Sequence, residues 1–217
     1  MTDVLASGTR VAMPRRARVT DRREQILDAA LRLFAERGAG NVSTRQIAEA
    51  VGISQPTLYA HFASADAIAD ELCVRAFAAL QARFAERVAA IADPWERLDA
   101  AGRTYIEFGL EHPDMYRIAF MPTRADAMPK LEVDLDADDP GLAAGLRAFA
   151  AVRETIGELM GGLGPATDVT AQTVWIAVHG ITSLLIAKPY FPWADREALI
   201  VSVLAMARGH VAARASR

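Results

Sequence analysis

Gln55, Thr57 and Arg45 are residues whose types and spacing could read a polar surface by hydrogen bonding. The amide of Gln55 both donates and accepts, Thr57 carries a hydroxyl and Arg45 a guanidinium, the groups that meet base edges in a DNA groove. Pro56 and Ala60 beside them can make only apolar contact, of the kind a thymine methyl accepts. On a helical wheel Pro56 and Ala60 point away from Leu58 and Phe62, Thr57 and Tyr59 flank them, and Gln55 and His61 lie nearer the core boundary. That outward face is neutral and small, so any specificity leans partly on DNA shape.

The elements that must position these groups are helices. Ile26, Ala30, Leu33 and Phe34 recur with helical spacing, and Gly38 stands where a left-handed C-terminal residue is wanted, which predicts a first helix over 21–37. Ser43 and Gln46 form a capping box for a two-turn helix ending before Gly52. Ser54 caps a third helix, with Pro56 in its first turn. The second and third helices, joined at Gly52 and Ile53, have the dimensions of a helix-turn-helix. Beyond Ser64 a long helix runs to about residue 92, Asp93 caps the next to about 110, and a short helix carries Met115, Ile118 and Phe120. An acidic loop over 122–139 precedes helices at 140–160, 168–187 and 194–213. With no alternating strand pattern, the expected fold is all-α with about nine helices, a three-helix N-terminal unit followed by a helical C-terminal body.

The net charge of −3 over 217 residues hides an asymmetry. Residues 1–63 hold nine Arg against six acids, while the remainder is acidic. Between Arg10 and Arg23 six arginines face one acid, Asp21, so residues 1–20 read as a flexible basic arm able to meet a polyanion. A single cysteine, Cys73, forms no internal disulfide, which fits a cytoplasmic protein. The apolar stretch Trp175 to Ala187 is interrupted by His179, Thr182 and Ser183, so no membrane span is expected. Asp134, Asp136 and Asp138 lack the glycine and glutamate of a calcium loop, and no metal site, cofactor or catalytic group is expected.

The string from Ser43 to Phe62, with Thr57-Leu58-Tyr59-Ala60-His61-Phe62 and the Gly52 turn at the right distances, resembles the DNA-binding motif of TetR-family transcriptional regulators. Leu33-Phe34-Ala35-Glu36-Arg37-Gly38 before it matches too. The resemblance implies that Thr57, Tyr59 and His61 contact phosphates or base edges and that Gln55 and Pro56 sit at the base edges. It also implies that the amides at Ser43 and Thr44, with the Arg45 side chain, meet the DNA backbone. The family usually has Ser-Lys at the start of the fourth helix, where this chain has Ser64-Ala65. The arm from Arg15 to Arg23 is expected to supply the missing charge. Deleting residues 1–18 should then weaken DNA binding and flatten its salt dependence by roughly 0.9 for each phosphate no longer neutralised; an unchanged slope in a salt titration would contradict it.

Trp95, Tyr105, Phe108, His112-Pro113 and Tyr116, with the later Trp175-x-x-x-His179-Gly180, are similar to the WHG type of TetR-family C-terminal domain. A pocket for a small, mostly apolar effector is expected among Tyr105, Phe108, Met115, Tyr116, Phe120, Trp175 and His179. His179 needs a polar partner there, either a neighbouring helix or a ligand. The last two helices carry surplus apolar surface at Thr170, Val174, Val178, Ile181, Leu184 and Leu185 and at Leu199, Ile200, Val203, Leu204 and Met206. The family resemblance makes them a homodimer interface, so that two readers face a pseudo-palindromic operator in double-stranded DNA. The expected organisation is an arm over 1–20, a DNA-binding domain over 21–66 and a ligand-binding and dimerisation domain over 67–217. The expected function is a repressor released by a ligand; the alternative is a ligand-independent repressor whose C-terminal half only dimerises.

Overall fold

The computed structural model describes residues 15–121 and 140–216, with side chains from Asp21 onward. Residues 1–14, with Arg10 of the expected basic arm, lie outside the described residues, as do the acidic segment 122–139 and Arg217. Every regular element described is helical: α1 (Arg15–Arg37), α2 (Thr44–Val51), α3 (Gln55–Tyr59), α4 (Ala65–Arg87), α5 (Pro94–Glu111), α6 (Pro113–Phe120), α7 (Pro140–Met160), α8 (Pro165–Ala187) and α9 (Arg196–Ala215), with a 3-10 turn at Ala39–Asn41.

Two boundaries differ from the expectation by a helical turn or more, the others by three residues or fewer. Helix α1 begins at Arg15, so the stretch from Arg15 to Thr20 is helical rather than part of a flexible arm. Arginine and alanine are strong helix formers, and no Gly or Pro interrupts the chain after Pro14. Helix α4 stops at Arg87, one turn short of the expected end. Residues 89–92 make the turn that reverses the chain, and the Asp93 carboxylate then accepts from the amides of Trp95 and Glu96 at the start of α5. Alanine favours continuing a helix, but the energy of packing α5 back against α4 outweighs local propensity.

Helices α1 to α3 close over one core, in which Ile26, Phe34, Ile47, Leu58, Phe62 and Ile68 are buried. The first turns of α4 contribute Ile68 and Leu72 to it, so α4 belongs to the reader at one end and to the C-terminal body at the other. A lattice of charges reinforces this junction. Arg23 grips Glu71, and Arg75 bonds Glu71 at 2.9 Å and Glu24 at 2.6 Å. The Arg23 guanidinium also lies 4.5 Å from the Phe62 ring centre. Hydrogen bonding to Arg75 holds the Glu24 carboxyl below its ordinary range, and bonding to Arg23 does the same for Glu71. Because these groups are partly exposed, the lattice orients the helices more than it stabilises them.

The C-terminal body packs α5 to α9 around two further large cores, one centred on Ile106, Phe108 and Tyr116 and the other on Leu98, Ile156 and Val211, with a small cluster of Phe77, Ala144 and Ala148 between α4 and α7. Ion pairs Arg103–Glu197 at 2.7 Å and Arg208–Asp99 at 2.5 Å tie α9 to α5. By length and composition α8 and α9 would both be long and apolar enough to cross a membrane. Here each turns one stripe inward to the body and the other outward.

Candidate functional site

The reader is assembled by local capping chemistry. The Ser43 hydroxyl accepts from the Gln46 amide while the Gln46 side chain accepts from the Ser43 amide, which fixes the start of α2. Gly52 ends it in the left-handed region, with φ 73° and ψ 36°, and bonds the freed carbonyls of Ala48 and Glu49. Ser54 then accepts from Thr57 to start α3, and its hydroxyl lies 2.8 Å from that of Thr57. A methyl group on Gly52 would meet no neighbour, so Gly52→Ala isolates backbone strain. It is expected to cost about 1–2 kcal/mol, read as a lower urea midpoint with an unchanged slope.

The outward face agrees with the wheel: Pro56, Thr57, Tyr59 and Ala60 are exposed, Gln55 and His61 half-buried. Thr44 on α2 links to α3, its hydroxyl 3.2 Å from the Tyr59 hydroxyl and accepting from Gln55 Nε2 at 3.2 Å. The Gln55 amide also reaches the Tyr59 hydroxyl at 3.4 Å. These three side chains are thus held in place before any DNA arrives, with the Tyr59 ring half in solvent. Arg45 pairs with Glu49 at 2.9 Å, and both are largely exposed, so a phosphate can compete for the guanidinium at small cost. His61 follows the last turn of α3. The Arg23 contact with Phe62 had no sequence signal, because the partners are far apart in the chain.

Above the reader lies a cavity of about 1080 Å³, walled mainly by apolar side chains of α4, α5, α6, α7 and α8. Of the seven residues expected to line a pocket, Tyr105, Phe120 and Trp175 stand in its wall. Phe108, Met115 and Tyr116 instead belong to the packed core beside it. One helical turn holds both faces, and only the packing of α5 against its neighbours decides that Tyr105 faces the space and Phe108 faces away. The wall also takes Phe77, Leu80 and Phe84 from α4 and Gly145, Phe149 and Val152 from α7, which the aromatic pattern does not suggest.

His179 lies behind the wall and closes a chain of hydrogen bonds. Trp175 Nε1 donates to the Tyr105 hydroxyl at 3.3 Å, the Tyr105 and Tyr116 hydroxyls are 3.1 Å apart, and the Tyr116 hydroxyl lies 2.7 Å from His179 Nδ1. The pattern is consistent with Tyr105 donating to Tyr116 and Tyr116 to a neutral imidazole. Burial lowers the His179 pKa and pushes the Tyr105 phenol up to about 12, and that of Tyr116 up as well, so all three stay uncharged near neutrality. The polar partner that His179 required is therefore a neighbouring helix. Tyr116→Phe removes the nearest donor to Nδ1 but leaves the Tyr105 hydroxyl at 3.2 Å to bond it, and is expected to cost about 0.5–1.5 kcal/mol, measured by chemical denaturation.

The outer stripe of α8 and α9 differs from the one expected. Thr170, Val174, Val178 and Ile200 are buried within the subunit. The exposed large side chains are Val169, Trp175, Ile176 and Leu184 on α8 and Val201 and Met206 on α9, of which Leu184 and Met206 belong to the expected stripe. A methyl group on Gly180 or Gly209 would meet nothing within the subunit. Helix α8 is apolar almost all round, so its periodicity did not say which stripe faced inward.

Comparison with known proteins agrees with this geometry. The family model for bacterial regulatory proteins of the tetR family matches residues 26–72, and that for the tetracyclin repressor-like C-terminal domain matches residues 98–207. The HTH-type transcriptional repressor KstR2 of Mycobacterium tuberculosis is 38% identical over 94 residues, 43% of this chain and 46% of KstR2, so the match spans under half of that relative. The uncharacterised HTH-type transcriptional regulator Rv1255c of the same organism is 30% identical over 179 residues, 82% of this chain and 80% of that protein. Among solved structures, the fatty acid degradation regulator FadR from Bacillus halodurans superposes with a TM-score of 0.67 at 16% identity, over 87% of this chain and 95% of that one. These matched proteins are described as regulators rather than enzymes. The two matched regions, and a relative that shares most of its length, place the chain in the TetR family of bacterial regulatory proteins.

Proposed function

We propose that the protein is a sequence-specific DNA-binding repressor, working as a homodimer in the bacterial cytoplasm and released from its operator by a small, mostly apolar ligand. The observation that carries the reading is the exposed face of α2 and α3, where Thr44, Gln55 and Tyr59 are already bonded to one another. Such a preformed surface loses little side-chain entropy on binding. Gln55, Pro56 and Thr57 meet base edges, Tyr59 and His61 meet the phosphates beside them, and the Thr44 amide with Arg45 meets the DNA backbone at the start of α2, where the Ser43 amide is taken by the Gln46 side chain. The apolar cavity next to the reader supports a hydrocarbon-rich effector. The outward stripe of α8 and α9 supports pairing of two readers about one DNA turn, roughly 34–36 Å, apart.

The test is a salt-titrated anisotropy assay on DNA from upstream of the protein's own gene and of neighbouring genes, with random DNA as competitor. Binding that survives the competitor and falls steeply with salt is the expected result. Affinity no greater than for random DNA across those fragments would overturn the reading. The ligand-independent alternative predicts that no apolar compound raises the melting temperature, whereas a ligand at a hundred times its dissociation constant adds about 2.7 kcal/mol.

A further inference from the structure

We infer that the effector is an elongated, mostly apolar molecule lying along α4, and that it releases DNA only when long enough to reach the reader; this rests on the ligand-released reading above. The cavity of about 1080 Å³ lies just above the range of about 300–1,000 Å³ for drug-sized ligands. Its wall follows α4 from Ala69 to Phe84, a rise of about 22 Å at 1.5 Å per residue. The space is therefore long rather than round.

Its two ends differ in composition and in what they touch. At the far end Leu80, Phe84, Leu98, Phe149 and Val152 present hydrocarbon, and the one polar side chain among them, Gln172, is uncharged. The charged wall residues Glu36, Arg37, Asp70 and Arg117 come from the near end, around α1, the start of α4 and α6. Two acids and two bases there suit a polar, uncharged head group on an apolar tail. The near end is also where the wall is made by the reader itself. Phe34, Gly38 and Asn41 line the cavity, and Phe34 and Ala69 are members of the reader's own core. Helix α6 spans the joint: Ile118 packs against the reader core and Phe120 against the body core, and both line the cavity.

A ligand shifts a two-state equilibrium only by its difference in affinity for the two states. A short molecule at the far end touches only the body, and those contacts survive a tilt of the reader. A long one touches both units, so its affinity depends on their relative placement. Length thus separates binding from release.

The test uses straight-chain primary alcohols from hexanol to tetradecanol, each below its solubility limit. Binding is followed as a rise in melting temperature by circular dichroism and release by anisotropy on the operator DNA. Short members are expected to bind and leave DNA affinity within about two-fold, while long members at saturation weaken it at least about ten-fold. Release that tracks occupancy equally at every length overturns the inference and leaves the ligand-released reading standing. Failure of every member to bind, or long members that bind without release, overturns it as well. That underlying reading fails separately, in the DNA assay without alcohol. Ala39→Leu narrows the near end and is expected to weaken binding of the long members about ten-fold while sparing the short ones. Cys73→Leu, also in the near part of the wall, serves if Ala39→Leu does not fold.

Discussion

Leu58→Ala is expected to abolish operator binding while leaving the C-terminal body folded. Leu58 is fully buried and is the one buried residue of α3, so the five-residue helix proposed to make the DNA contacts is held by this side chain and its Ser54 cap. A helix this short has no stability of its own. Truncating a buried leucine to alanine costs about 2–5 kcal/mol, a large share of what a small core supplies. The cores around Ile106 and Ile156 share no residue with the one around Leu58 and should survive. Circular dichroism should therefore show a modest loss of helix and anisotropy a loss of operator affinity of at least about 30-fold, the equivalent of 2 kcal/mol. An affinity within two-fold of the unmodified protein would mean that α3 is held by something other than this contact.

Ile176→Asp should split the dimer without unfolding the subunit. Ile176 is 67% exposed in the isolated chain and sits between Val169 and Leu184 on the outward stripe of α8. In an interface with two-fold symmetry each substitution occurs twice, and a carboxylate buried without a partner costs several kcal/mol. A total of about 4 kcal/mol raises the dimer dissociation constant roughly a thousand-fold. Sedimentation should show monomers at micromolar concentration. Operator affinity should collapse as well, because two readers no longer bind as one unit. The contrast is Val174→Asp, on the inward stripe and buried, which should unfold the body instead. A dimer that persists with Ile176→Asp would place the interface elsewhere.

Several features of this protein were legible in its residues because their chemistry is local. The caps at Ser43, Ser54 and Asp93 act within two or three residues, and each stands where the sequence placed it. The same holds for α7, bounded by Pro140 and by Gly161 with Gly162, and for the Gly52 turn with its left-handed backbone. The outward face of α3 followed from helical geometry once Leu58 and Phe62 were taken as core. Where several choices were locally equivalent, neighbours decided. Tyr105 and Phe108 lie within one turn of α5, yet only the first faces the cavity. His179 bonds to Tyr116 on another helix, and Arg75 to Glu24 across 51 residues.

By itself, then, the sequence determined which segments are helical, where most of them start and stop, and which residues of α3 stand on its exposed face, because caps, turns and helical period are written over a few adjacent positions. Which stripe of an all-apolar helix faces inward, where the space between helices opens, and that this space reaches the reader at Phe34 to Asn41 were decided only by the tertiary structure. Those outcomes depend on how side chains distant along the chain fill a shared volume, and no short window of sequence carries that information.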